Sequence, residues 1–118
     1  MQIDISEQGN ATIVAPEGPR LDAEVAGDFR ATLLGLIEGG KGNLIVNLDG
    51  VDFIDSSGLG ELVGAYATGA NQGAQIKLLN VQKRVHDLIQ ITKLYTVFES
   101  FTSETAALRS FGAKAASV

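Results

Sequence analysis

The stretch that decides the fold is LIVNLDGVDFIDSSGLGELV, residues 44–63. It opens with a short apolar run, residues 44–48, which is typical of a strand buried in a parallel sheet. It closes with apolar residues at helical spacing, a pattern that continues through Tyr66 and Ala70. Between strand and helix stands DSSG, residues 55–58. In sheets of this kind, binding sites collect in the loops that lead from the carboxyl ends of strands into helices.

Strand-like and helix-like segments alternate on both sides of this stretch. Residues 2–6 and 11–15 flank a turn and predict an antiparallel hairpin. Asp22 is a favoured N-cap residue, and apolar residues at helical spacing follow it as far as Gly39. Further along the chain we expect a helix that closes near residues 71–73, a strand at 75–79, a helix at 81–92, a short strand at 96–101 and a helix at 103–111.

This order predicts one α/β domain, because alternating strands and helices favour a mostly parallel sheet with crossover helices. We expect a mixed sheet with an N-terminal antiparallel hairpin and about four helices. The domain is placed at residues 1–112, since 118 residues leave no room for a second core. Residues 113–118 are rich in alanine and lack a periodic pattern, so we expect them to form a frayed tail.

The composition argues against several classes of protein. The net charge is −5 and the nine basic residues are mostly scattered, so we expect no direct binding of nucleic acid. Without cysteine and with a single histidine, the chain has no thiolate and little to build a metal site or a Ser-His-Asp triad. We therefore expect no enzyme, no catalytic residue, no metal and no cofactor. The chain also lacks a signal peptide and a long apolar run, which predicts a cytoplasmic protein without membrane insertion.

Ser56 has two interpretations when only its neighbours are considered. If the helix begins at Ser57 or Gly58, Ser56 lies at or just before the N-cap, where its hydroxyl accepts a backbone N–H bond. Alternatively, Ser56 is a phosphorylation site, and its phosphate would face the positive end of the helix without unfolding it. Asp55, and Asp22 if the two loops converge, would then repel the phosphate.

The chain resembles the STAS domain, named for sulfate transporters and anti-sigma factor antagonists. The resemblance rests on FIDSSGLGELV at residues 53–63, on the strand before it and on KRVHDL at residues 83–88. It extends from the hairpin to about residue 111. Within this family the chain looks most like the free-standing bacterial anti-sigma factor antagonists, because it is small and carries no attached transporter or sensor.

The resemblance implies a protein-binding switch. In that branch the first serine of DSSG, here Ser56, is phosphorylated by a serine kinase that also serves as the anti-sigma factor. The unphosphorylated antagonist binds this kinase and frees the sigma factor; the phosphorylated form is released, and a PP2C-type phosphatase restores it. The family's Leu-Asp matches Leu21-Asp22, which places Asp22 near Ser56 and gives it an orienting role. Here the segment from Gly18 is one residue longer than the family pattern.

Around the acceptor, the resemblance implies a recognition loop made of Asp22, Asp55, Ser57, Gly58, Leu59 and Gly60. Ser57 is the competing acceptor, although its expected role is that of N-cap. The alternative function is a STAS docking subunit of a transport or stress-signalling complex that is never phosphorylated. The oligomeric state is not predicted.

Overall fold

The fold is described from a computed structural model that places the backbone of residues 2–116 and the side chains of residues 2–111. Within these residues the elements follow in the order β1 (Gln2–Gln8), β2 (Ala11–Glu17), β3 (Arg20–Leu21), α1 (Ala26–Glu38), β4 (Asn43–Asn47), β5 (Phe53–Ile54), α2 (Ser56–Asn71), β6 (Gln75–Leu79), α3 (Lys83–Ile91), a 3₁₀ turn (Leu94–Thr96), β7 (Ser100–Phe101) and α4 (Glu104–Ala116).

The main sheet has five strands in the order β1-β2-β4-β6-β7. β1 and β2 form the predicted antiparallel hairpin, and the other pairs are parallel. The predicted mixed α/β architecture with four helices is therefore confirmed. Because the central strands run parallel, the loops that leave their carboxyl ends lie at one edge of the sheet.

Alternate residues of the central strands serve two hydrophobic clusters. Leu44, Val46 and Leu78 pack with side chains of α1, α2 and α3. Ile45 and Leu79 point to the opposite face and pack with α4. Three helices thus cover one face of the sheet, and α4 covers the other.

The small parallel pair β3–β5 was not predicted. Arg20 pairs with Phe53, and Leu21 pairs with Ile54. Two-residue strands are too short to show a period of two, so the sequence gives no strand signal for them. Leu21 and Ile54 are both buried, and their pairing brings the segments after them to the same edge of the fold.

Several predicted boundaries differ from the structure. The prediction that Asp22 caps the first helix is wrong, because α1 begins at Ala26 and its N-cap is Val25. The backbone carbonyl of Asp22 instead accepts bonds from the N–H groups of Val25 and Ala26 at 3.1 and 2.9 Å. The strand expected at residues 96–101 is reduced to the 3₁₀ turn and β7.

At the C-terminal end, α4 continues to Ala116, past the boundary that we placed at residue 112. Residues 117–118 of the expected tail lie outside the described residues. None of the helices in the described part of the chain is long and apolar enough to cross a membrane.

Candidate functional site

The candidate site lies where the segments after β3 and β5 meet. Parallel pairing of Leu21 with Ile54 sets the next residues, Asp22 and Asp55, side by side. The backbone N–H of Asp55 donates to the carbonyl of Leu21 at 3.3 Å. The backbone N–H of Ala23 in turn donates to Asp55 Oδ2 at 3.3 Å. The two loops therefore converge, which the sequence alone did not establish.

Asp55 is the N-cap of α2. Its Oδ1 accepts the backbone N–H of Gly58 at 2.9 Å, and its carbonyl accepts that of Leu59 at 2.9 Å. α2 begins at Ser56, one residue before the predicted start at Ser57 or Gly58, and the prediction that Ser56 or Ser57 is the cap is wrong. Asp and Ser are about equally good N-caps, and here the carboxylate at position 55 occupies the role one residue earlier.

Ser56 is consequently the first helical residue, and its side chain is exposed. Within the described part of the chain, its hydroxyl makes no hydrogen bond, so it is not held by the capping interaction that we considered for it. Ser57 is also exposed. The hydroxyl of Ser56 is therefore accessible to another protein at the amino end of a 16-residue helix.

Asp22 contacts the loop around it rather than Ser56. Its Oδ1 accepts the backbone N–H of Glu24 at 3.1 Å, and its Oδ2 accepts the Nε–H of Arg20 at 3.5 Å. Among the described residues it forms no hydrogen bond to Ser56. No direct hydrogen bond among the described residues therefore supports the orienting role that we predicted for Asp22.

Two residues of the predicted recognition loop face the protein interior. Gly58 and Leu59 are buried in the first turn of α2, so neither is available to a partner. A Cβ on Gly58 would lie 2.2 Å from the carbonyl oxygen of Leu21. Glycine at residue 58 therefore allows the backbone of Leu21, in this same chain, to approach α2 closely. Gly60 is exposed with open space around it, and Asp22 and Asp55 are half-buried.

Arg20 is the residue of this site that sequence reasoning missed. Its guanidinium lies over the ring of Phe53, with Cζ 4.2 Å from the ring centroid, and also contacts Asp22. The contact with Phe53 depends on the β3–β5 pair, which had no sequence signal, whereas Asp22 is two residues away in the same segment. The described residues contain no group of three or more His, Cys, Asp or Glu side chains that could hold a metal ion. The arrangement offers an exposed hydroxyl in a loop that carries carboxylates and one cation.

Two curated relatives carry the same kind of name. The chain is 31% identical over 99 residues to the anti-sigma-B factor antagonist of Bacillus subtilis (strain 168), covering 84% of this chain and 89% of the relative. It is 29% identical over 66 residues to the anti-sigma F factor antagonist of Paenibacillus polymyxa. That second match spans 56% of each chain, so it covers little more than half of the relative's length.

The same fold occurs in solved structures of the anti-sigma factor antagonist SpoIIAA. Its unphosphorylated form superimposes with a TM-score of 0.72 at 21% identity, over 94% of this chain and 99% of the other. The phosphorylated form, from Bacillus, gives a TM-score of 0.71 at 22% identity, over 92% and 99%. At these identities the likeness establishes the fold.

The sequence model of the STAS domain matches residues 2–107, which include every strand, the helices α1 to α3 and the start of α4. The chain belongs to the STAS domain family.

Proposed function

We propose that this protein is an anti-sigma factor antagonist whose binding is switched by phosphorylation of Ser56. The observation that carries the proposal is the position of Ser56, an exposed hydroxyl without a hydrogen-bond partner among the described residues, in the DSSG loop. The name of the relative with 31% identity supports the same function. The proposed partners of the present protein are an anti-sigma factor that is also a serine kinase, and a PP2C-type phosphatase.

In the proposed cycle the unphosphorylated protein binds the anti-sigma factor and so frees the sigma factor. The kinase then transfers the γ-phosphoryl group of ATP to Ser56. An O–P bond forms at Ser56 Oγ, the bond to the bridging oxygen of ADP breaks, and the hydroxyl proton passes to a base on the kinase. The phosphatase returns the hydroxyl by hydrolysis. This protein supplies the acceptor and the binding surface, whereas the catalytic groups belong to its partners.

The fold tolerates this change because Ser56 is outside the core. Its phosphate would carry about −1.5 to −2 charges at pH 7. Attraction to the amino end of α2 is worth about 0.3–1 kcal/mol at a surface. Repulsion from a unit charge ~4 Å away ranges from about 1 kcal/mol in water to about 4 kcal/mol at an effective dielectric of 20. The capping carboxylate of Asp55, on the preceding residue, would repel the phosphate, so the loop is stressed locally while the buried side chains stay packed.

The phosphate has a larger effect on the binding of a partner than on the stability of the fold. Moving a dianion into a desolvated interface costs several kcal/mol, and a single neighbouring counter-charge does not offset the whole of this cost. Since Ser56, Ser57 and Gly60 form the exposed part of the first turns of α2, a partner that covers this surface would bury the phosphate. Phosphorylation therefore favours release.

The test is to incubate the protein with candidate anti-sigma kinases and Mg²⁺-ATP, and to map the phosphate by mass spectrometry. Ser57→Ala is the matched control, because Ser57 is adjacent and also exposed. We expect phosphate on Ser56 in the wild type and in Ser57→Ala, and none in Ser56→Ala. Phosphate confined to Ser57, or no modification by any candidate kinase, contradicts the proposal and favours the unphosphorylated docking subunit.

A further inference from the structure

The guanidinium of Arg20 lies in the site that contains the DSSG loop, and most of its N–H groups donate no hydrogen bond within the described residues. It stacks on Phe53 at 4.2 Å and donates one bond, from Nε, to Asp22 at 3.5 Å. Within the described residues its Nη groups donate no hydrogen bond. Arginine has five N–H donors in a planar fork that matches the oxygens of a phosphate. The side chain is 59% exposed, so those donors face solvent.

The carboxylates of the site, in contrast, are already committed. Asp55 uses Oδ1 for Gly58 and Oδ2 for Ala23, and Asp22 uses Oδ1 for Glu24 and Oδ2 for Arg20. The capping position at the start of α2 is therefore filled by a carboxylate. A phosphate on Ser56 would not find the N–H of Gly58 free.

Arg20 is also the one basic residue in the two sequence segments that form the site. Residues 17–28 and 49–56, which form β3, β5 and the segments around them, contain seven acidic residues and a single basic one. The site is connected by contacts: Arg20 bonds Asp22, the next residue Ala23 bonds Asp55, and Asp55 precedes Ser56. A new anion at residue 56 therefore lies next to segments rich in acidic residues, in which Arg20 is the one basic residue.

We propose that Arg20 is the phosphate-binding residue of the switch. When Ser56 is phosphorylated, the free Nη groups of Arg20 bind the phosphate oxygens, while stacking on Phe53 keeps the guanidinium in place. This inference rests on the proposed function, because it concerns the phosphorylated state of the same serine. It assigns to Arg20 the role of stabilising the dianion in a loop whose other charged groups, Asp22 and Asp55 together with the exposed Glu24 and Asp52, oppose it.

The test measures the second pKa of the phosphate. Phosphoserine is placed at residue 56 by genetic encoding, so that no kinase is required, and its ³¹P NMR signal is titrated between pH 4 and pH 9. A cation near a phosphate lowers this pKa, whose ordinary value is about 6, and carboxylates raise it. For a guanidinium ~5 Å away in water, the expected contribution is about 0.6 units.

The variants are Arg20→Gln, Arg20→Lys and the control Arg109→Gln, which removes an exposed arginine of α4 on the opposite face of the sheet. We expect the phosphate pKa to rise by about half a unit in Arg20→Gln. It should stay unchanged in Arg109→Gln and recover at least half of the difference in Arg20→Lys. Equal pKa values in the wild type and Arg20→Gln overturn the inference. So does an equal shift in Arg109→Gln, or a lack of recovery in Arg20→Lys. Failure of kinases to modify Ser56 would contradict the proposed function and leave this titration unaffected.

Discussion

Replacing Gly58 with alanine should destabilise the domain, because this glycine is where α2 contacts β3. The added Cβ would lie 2.2 Å from the carbonyl oxygen of Leu21 and 3.0 Å from Cγ1 of Ile54. Ordinary van der Waals contact begins at about 3.4 Å, so backbone must move by about 1 Å. That movement disturbs the bond from the N–H of Asp55 to the carbonyl of Leu21.

The size of the effect follows from opposing contributions. Overpacking costs about 1–3 kcal/mol, and each disturbed hydrogen bond adds about 0.5–1.5 kcal/mol. Alanine within a helix returns about 1 kcal/mol relative to glycine. We expect Gly58→Ala to lower the free energy of unfolding by about 2 kcal/mol, within a range of about 0.5–3.5 kcal/mol. Gly60→Ala is the matched control: it is two residues away in α2, with open space at its Cβ position, and should gain up to about 1 kcal/mol.

Both variants can be compared by urea unfolding followed by circular dichroism. With a slope of about 1–3 kcal/mol per molar urea, a loss of about 2 kcal/mol in Gly58→Ala should shift the midpoint downward by about 0.7–2 M, and Gly60→Ala should leave it equal or raise it. If Gly58→Ala is as stable as the wild type, α2 does not approach the β3 backbone as described. The reasoning that joins the two loops at Ser56 would then be wrong.

Two further predictions use the same unfolding assay. Asp55→Ala removes the N-cap of α2 and should lower the free energy of unfolding by about 1–2 kcal/mol. The control Asp52→Ala, at an exposed residue, should lower it by less than about 0.5 kcal/mol. Equal losses in the two variants would contradict the capping role. Lys77 is 5% exposed, and its Nζ contacts Ser110 at 2.8 Å and Glu99 at 3.3 Å. Lys77→Met should stay within about 1 kcal/mol of the wild type, since a similar apolar volume replaces a buried charge, while Lys77→Ala should lose about 2–4 kcal/mol with its packing. A larger loss for methionine than for alanine would contradict this account of the α4 contact.

The architecture was predictable because the long elements carry strong periodic signals. β2, β4 and β6 are short aliphatic runs, and residues of α2 from Leu59 to Ala70 recur at helical spacing. β3 and β5 have no such signal, because two residues cannot show a period. Since that pair sets Arg20 beside Phe53, the cation of the site was missed along with it.

The start of α2 shows a different limit. Asp55, Ser56 and Ser57 are three consecutive residues of types that cap helices well, so local propensity does not choose among them. The choice depends on Asp55 Oδ2 also accepting the N–H of Ala23 from the other loop, a contact between residues far apart in sequence. The burial of Lys77 is likewise a tertiary effect, because it results from the packing of α4 on the sheet.

The most direct measurement of the switch is the affinity of the anti-sigma factor for this protein with serine or phosphoserine at residue 56, determined by isothermal titration calorimetry. Because a desolvated charge costs several kcal/mol, we expect the phosphorylated form to bind at least about 100-fold more weakly. Its free energy of unfolding should equal that of the unphosphorylated form to within about 1 kcal/mol. Equal dissociation constants for the two forms would contradict a charge switch at Ser56. A loss of binding that accompanies unfolding would contradict the claim that the core stays unchanged.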